Sequence, residues 1–167
     1  ILAGVDSIEH ASFLDREAIQ MGIDRGTYFA PDIYNTEYTL EMGAANGVPE
    51  ENIEKERQVG TVQRQSFTLA VQMGAKVVFA TDSGVYPHGD NGKQFSRAVR
   101  FGMTPAQALQ SATSLTAELL GWEDQVGTIE SGLFADIIAV HGNPLDDISE
   151  MEDVDFVMKG GVVYKDQ

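Results

Sequence analysis

Val77-Val78-Phe79-Ala80-Thr81-Asp82-Ser83 is an apolar, β-type run that stops abruptly at a carboxylate, and Ser7-Ile8-Glu9-His10 stops in the same way at an imidazole. Both terminal side chains are competent metal ligands. In a (β/α)8 barrel the chemistry sits where parallel strands end and loops begin, and each strand-helix unit takes about 30 residues. His10 and Asp82 are 72 positions apart, room for two such units with one strand between them. Thr27-Tyr28-Phe29-Ala30-Pro31, directly after Gly26, supplies that strand. The two runs therefore read as two strand ends of one catalytic barrel.

Ile1-Leu2-Ala3-Gly4-Val5 opens the chain without an initiator Met or a segment that would begin a domain, so the sequence is expected to be the C-terminal part of a longer polypeptide. It has neither an apolar run of about 18 residues nor an h-region with a small-residue cleavage site. The expectation is a cytoplasmic chain, although a preceding segment would be free to carry its own signal. Of the 167 residues 43% are hydrophobic and 22% charged, a balance that supports a buried core and argues against a disordered tail. The 26 acidic residues outnumber 11 basic ones, giving a net charge of −15. That field repels phosphate backbones and anionic lipid, so neither nucleic acid nor a membrane is an expected partner. The absence of cysteine excludes disulfides, thiolate zinc sites and a cysteine nucleophile. Any metal must be held by His, Asp or Glu.

Along the chain, Val5 to His10 reads as a short strand, and Asp15 caps a helix whose apolar face is Ala18, Ile19 and Ile23 and which ends at Gly26. After a strand over Thr27 to Ile33, the polar stretch from Asn35 to Pro49 reads as a loop over a site. Glu50 to Met73 predicts a long helix with acidic first turns and Gly74 as its stop. Lys76 to Thr81 is the next strand, apolar enough to be covered on both faces. A Gly-, Pro- and His-containing loop over Ser83 to Gly92 leads to a helix from Lys93 to Phe101. Thr104-Pro105 opens another, and Ser114 caps a third that ends at Gly121. Beyond it, Val126 to Ile129, Ala135 to Val140, Phe156 to Lys159 and Val162 to Lys165 are β-type runs, with Gly160-Gly161 as a hairpin turn.

Position alone leaves His10 open between a structural histidine and a ligand. A carboxylate at the end of a buried strand, such as Asp82, is costly unless a cation or donors receive it, but Asp82-Ser83-Gly84 also has ordinary turn chemistry. His88 lies in the following loop, either to bind a substrate carboxylate or as a solvated histidine. Tyr34, after the middle strand, either hydrogen-bonds substrate or covers the rim. Glu9 alternates away from His10 and reads as an outer group. The acidic cluster from Asp146 to Asp155 lacks the spacing of a calcium loop and reads as a solvated surface.

Four segments carry a resemblance: Asp6 to Ala11; Phe79 to Val85 with Pro87-His88-Gly89; Met103-Thr104-Pro105-Ala106-Gln107-Ala108-Leu109; and Gly127-Thr128-Ile129-Glu130-Ser131-Gly132-Leu133-Phe134-Ala135-Asp136. Together they resemble the C-terminal half of the amidohydrolase superfamily, nearest its imidazolonepropionase-like and Xaa-Pro dipeptidase-like branch. The resemblance implies that His10 follows the sixth barrel strand and binds metal. It implies that Asp82 follows the eighth, binds metal and moves the proton. The implied cofactor is a divalent metal, zinc above all, as one or two ions. Zinc lowers the pKa of a bound water to about 7 and so supplies hydroxide at neutral pH, from which Asp82 would take a proton and pass it to the departing nitrogen. The family's His-x-His pair, carboxylated lysine and further histidine have no counterpart in these residues. This chain is therefore expected to be inactive by itself. His141, in Val140-His141-Gly142-Asn143-Pro144, matches a structural turn of the family.

The expected architecture is α/β. Residues 1–121 form strands six to eight of a metal-dependent hydrolase TIM barrel, and residues 122–167 the C-terminal strands of a small composite β-sandwich domain. The expected function is hydrolysis of a C–N bond in a dipeptide or N-acyl amino acid, because Val85-Tyr86-Pro87-His88-Gly89 resembles the prolidase-like loop. A cyclic amide such as imidazolonepropionate is the alternative substrate. A non-catalytic half-barrel that pairs with another chain is the alternative class. Open strand edges favour association, and a homo-oligomer is expected.

Overall fold

Asp15 starts the first helix: its side chain accepts the Ala18 N–H at 2.8 Å. Gly26, at φ 73°, closes it in the left-handed conformation that glycine adopts without strain. In the computed structural model, which describes residues 1–167, this helix α1 (Arg16–Arg25) connects β1 (Ser7–Glu9) to β2 (Tyr28–Ala30). The two strands pair in parallel, Ser7 opposite Tyr28 and Glu9 opposite Ala30. Helices α2 (Ile33–Met42) and α3 (Glu50–Gln72) follow. The chain then returns beside β2, where Phe29 N–H donates to the Lys76 carbonyl at 2.8 Å and Val78 N–H to the Phe29 carbonyl at 2.9 Å. Only one parallel bridge results, Phe29 with Val77. The strand expected over Lys76 to Thr81 stops early because Phe79 N–H turns to the Ser111 carbonyl at 3.0 Å. Parallel strands joined through helices are the βα arrangement expected of a barrel segment.

Alternate strand residues face different partners, as the pleat requires. Val77 joins Ile19, Ile33 and Phe67 in the main core, whereas Tyr28, Ala30 and Val78 form a smaller cluster against Leu115 and Leu119. The expected strand over Thr27 to Ile33 ends at Ala30; Ile33 instead opens α2, which runs on into the Asn35 to Pro49 stretch expected to be a loop. Tertiary contacts hold α2: Glu37 accepts from Arg97 Nε at 2.9 Å and Arg100 Nη1 at 3.3 Å. Thr36 meanwhile faces α3 at Gly60, so closely that a Cβ added there would collide with Thr36 Cγ2.

Gly60→Ala therefore reverses the usual sign. In an ordinary helix interior alanine gains about 1 kcal/mol over glycine. Here overpacking should cost roughly 1–3 kcal/mol, read as a lower urea midpoint of the complete polypeptide that carries this chain; an unchanged or higher midpoint would refute the contact.

The remaining helices are α4 (Lys93–Arg100), α5 (Pro105–Ala112) and α6 (Ser114–Leu120). Thr104 and Gln107 form a complete capping box for α5. Ser114 is the first residue of α6 and not its cap. That position belongs to Thr113, whose hydroxyl is committed to the Leu109 carbonyl at 2.7 Å. Val126 to Ile129 is not a strand, since Val126 N–H closes a turn on the Trp122 carbonyl at 3.0 Å. A separate antiparallel sheet contains β3 (Ile137–Ala139), β4 (Phe156–Lys159) and β5 (Val162–Asp166), in the order β3-β4-β5. Gly160-Gly161 turns between its last two strands. Between β3 and β4, a 3-10 turn over Ile148–Glu152 returns Ile148 and Met151 to the main core. No helix is long and apolar enough to cross a membrane.

Candidate active site

The backbone is bent sharply where the apolar runs end. His10, Ala11 and Asp82 have φ of 60°, 50° and 47°, left-handed values that cost a non-glycine residue about 1–2 kcal/mol and that cluster at functional sites. The turn at His10 is held by its N–H, which donates to the Ala30 carbonyl at 3.0 Å. It brings the imidazole over the end of β2, where Pro31-Asp32 follows.

There His10, Asp32 and Asp82 converge, one ligand atom from each lying within 4.8 Å of the others. His10 Nδ1 is 3.2 Å from Asp32 Oδ2. Asp32 is buried, and Gln63 Nε2 donates to its Oδ1 at 2.9 Å. The Asn35 amide serves both carboxylates, donating to Asp32 Oδ2 at 3.0 Å and to Asp82 Oδ2 at 3.1 Å. The charge of Asp32 holds the His10 imidazole above its ordinary pKa of 6.5, against the opposing effect of partial burial, with smaller support from Asp82 and Glu9. Because the folded value is raised, this pair stabilises the cation-free chain below pH 6.5, and the contribution is lost as pH rises through the raised value. One imidazole and nearby carboxylates make a nitrogen and oxygen donor set that suits zinc and related divalent cations.

The other sequence candidates lie around this group. His88 is exposed, its Nδ1 3.1 Å from Ser83 Oγ, and stands outside the His10, Asp32 and Asp82 group. Its loop is tied by Asn91, which donates to Thr81 Oγ1 at 3.3 Å and accepts the Gly89 N–H at 3.2 Å. Tyr34 is only 4% exposed, and its N–H donates to Gln94 Oε1 at 2.8 Å. Its ring meets Tyr86 edge to face at 4.7 Å, with the Arg97 guanidinium 4.8 Å from its centroid. Tyr86 is buried too. Burial pushes its phenol up, and the hydroxyl lies near Thr81 but outside hydrogen-bond geometry. Glu9 takes the Ser7 hydroxyl at 2.5 Å. Within the acidic cluster, Asp147 caps the 3-10 turn and Glu150 accepts the Gly142 N–H at 3.1 Å.

Asp32, Asn35 and Gln63 are not among the residues that the sequence singles out. Asp32 carried a usable signal, since Phe29-Ala30-Pro31-Asp32 is a third apolar run closed by a carboxylate. Gln63 carried none, as a glutamine inside a polar helix looks like a solvated residue.

Parallel strands linked through helices, with imidazole and carboxylates gathered where the strands end, define part of an α/β barrel of the enzyme type. The chain belongs to the amidohydrolase family, whose sequence model matches residues 1–164. It is 29% identical over 173 aligned positions to ochratoxinase of Aspergillus niger, covering 99% of this chain and 35% of that protein. Among solved structures, it matches a Xaa-Pro dipeptidase with methionine bound in its active site. That match has 46% identity and a TM-score of 0.91, over 98% of this chain and 41% of the other. A prolidase complexed with N-methylphosphonate-L-proline gives 28% identity and a TM-score of 0.91, over 99% and 41%. The chain thus spans about two fifths or less of the length of these relatives.

Proposed function

We propose that the polypeptide carrying this chain is a metal-dependent hydrolase of C–N bonds, acting on a dipeptide or N-acyl amino acid. The observation that carries the reading is the convergence of His10, Asp32 and Asp82 within 4.8 Å at the strand ends. Similarity to a Xaa-Pro dipeptidase and a prolidase supports the substrate class. His10 and Asp82 would hold the cation. When bound, it supplies Lewis acidity toward the carbonyl oxygen and acidifies water. The work of the protein groups is then proton transfer and orientation. Asp82, exposed to the site and anchored at one oxygen by Asn35, takes a proton from the attacking water and returns it to the leaving nitrogen. His88 on its exposed loop is the candidate for the substrate carboxylate. Tyr34 acts at the rim with Tyr86, supporting the loop that carries His88.

The test is hydrolysis by the complete polypeptide of a panel of Xaa-Pro dipeptides, N-acyl amino acids and imidazolonepropionate, before and after chelation. Cleavage of linear substrates that chelation abolishes and zinc restores is the expected result. Cleavage of the cyclic substrate alone would overturn the substrate class, and activity indifferent to chelation would overturn the cation.

A further inference from the structure

Asp32 is not accounted for by reading His10 and Asp82 as the cation-holding pair. It is 5% exposed, and a buried carboxylate destabilises a fold unless donors receive it. Both oxygens are received. Oδ1 takes Gln63 Nε2 at 2.9 Å; Oδ2 takes Asn35 Nδ2 at 3.0 Å and lies 3.2 Å from His10 Nδ1. Asp32 is thus occupied by protein groups, and with Nδ1 engaged, Nε2 is the His10 nitrogen left for a cation. Metal-binding histidines characteristically give their second nitrogen to such a carboxylate, which fixes tautomer and ring orientation.

We infer that Asp32 is a positioning residue: it accepts the Nδ1–H of His10 so that Nε2 faces the cation, and through the shared Asn35 amide it sets the Asp82 carboxylate. The inference rests on the reading of His10 and Asp82 given above. Three elements hold Asp32 in register. It follows β2, Asn35 projects from the first turns of α2, and Gln63 comes from α3. Gln63 is itself held by the Thr36 hydroxyl, 2.9 Å from its Oε1, with Glu56 Oε1 2.6 Å from the same hydroxyl. Thr36 in turn packs on Gly60. One chain of hydrogen bonds therefore runs from the exposed Asp82 through Asn35 to the buried Asp32, Gln63 and Thr36.

This arrangement predicts how substitutions rank. Asp32→Asn keeps a carbonyl oxygen for the His10 Nδ1–H. Its new amide N–H is accommodated if Gln63 flips to present Oε1 and turns its amino group to Thr36. Asp32→Ala leaves His10 and Gln63 without this acceptor and Asn35 with Asp82 alone. In the complete polypeptide, zinc titration should show binding weakened about 10- to 100-fold by Asp32→Ala and much less by Asp32→Asn. The second readout is the 15N shift pattern of the His10 ring without zinc, at a pH where the ring is neutral. Wild type and Asp32→Asn should show the Nδ1–H tautomer, and Asp32→Ala a mixture. An Nε2–H tautomer in the wild type would overturn the inference without any variant having to fold. So would wild-type zinc affinity in Asp32→Ala, or equal loss in both variants with an unchanged tautomer, which would make Asp32 a direct ligand. A wild type that shows the Nδ1–H tautomer but takes no zinc would instead sink the metal reading.

Discussion

Asp82→Asn in the complete polypeptide is expected to lower kcat/KM by roughly 10²- to 10⁴-fold, the usual range for loss of a positioned acid or base, while the protein stays folded. Three features separate chemistry from structure at this position. Asp82 sits at φ 47°, and asparagine is among the few residues that tolerate the left-handed region. Its amide oxygen can still accept the Asn35 N–H that now reaches Asp82 Oδ2, so the turn keeps its anchor. What disappears is the negative charge and the oxygen able to take a proton. The comparison belongs at saturating zinc, because loss of the charge also weakens the cation's hold, and an unchanged circular dichroism spectrum checks the fold. A variant that retains more than about a tenth of the wild-type kcat/KM under those conditions would remove Asp82 from proton transfer.

The segments readable in the sequence are those whose structure is set locally. Asp15 and Gly26 bracket α1, Thr104-Pro105 opens α5 with a full capping box, and Gly160-Gly161 turns the last hairpin. Each depends on residues within a few positions of one another. Helix α2 is not legible in the sequence because its stability is tertiary. It has no side-chain cap at Asp32, whose carboxylate is spent on His10, Asn35 and Gln63, and Glu37 ties it to arginines 60 positions on and further. The strand expected over Lys76 to Thr81 is cut to a single bridge for a similar reason, its Phe79 N–H taken by Ser111 from a later helix. The candidate site is half legible in the sequence. His10 and Asp82 announce themselves as abrupt ends of apolar runs. Asp32 closes a run of the same kind, but Pro31 before it blurs the strand signal. Asn35 and Gln63 gain their roles only when α2 and α3 fold against each other. The family resemblance, carried by segments such as Gly127 to Asp136, reached the fold where periodicity alone gave only separate strands and helices.

Phe29→Ala should be the most damaging single truncation of the core, about 3–5 kcal/mol by the usual cost of removing a buried phenylalanine. Phe29 is 0% exposed at the centre of the parallel sheet, with its backbone paired to Ile8 on one side and bridged to Val77 on the other. Its ring lies on α1 at Gly22, where a Cβ would stand 2.5 Å from Phe29 Cζ and 2.8 Å from Cε2. That contact supplies an internal control. Gly22→Ala alone forces the ring or the helix to move and should cost about 1–3 kcal/mol, despite alanine's helix preference of about 1 kcal/mol. In the Phe29→Ala background the obstacle is gone, the methyl group enters the cavity, and the same change should become neutral or stabilising. Denaturant midpoints of the complete polypeptide for the two single variants and the double variant close the cycle. A positive coupling would tie α1 to β2 through this one ring, and hence to the strand whose end carries Asp32. Additive losses would mean that α1 finds its place through other contacts, and the packing of Phe29 on Gly22 would lose its role in setting the site.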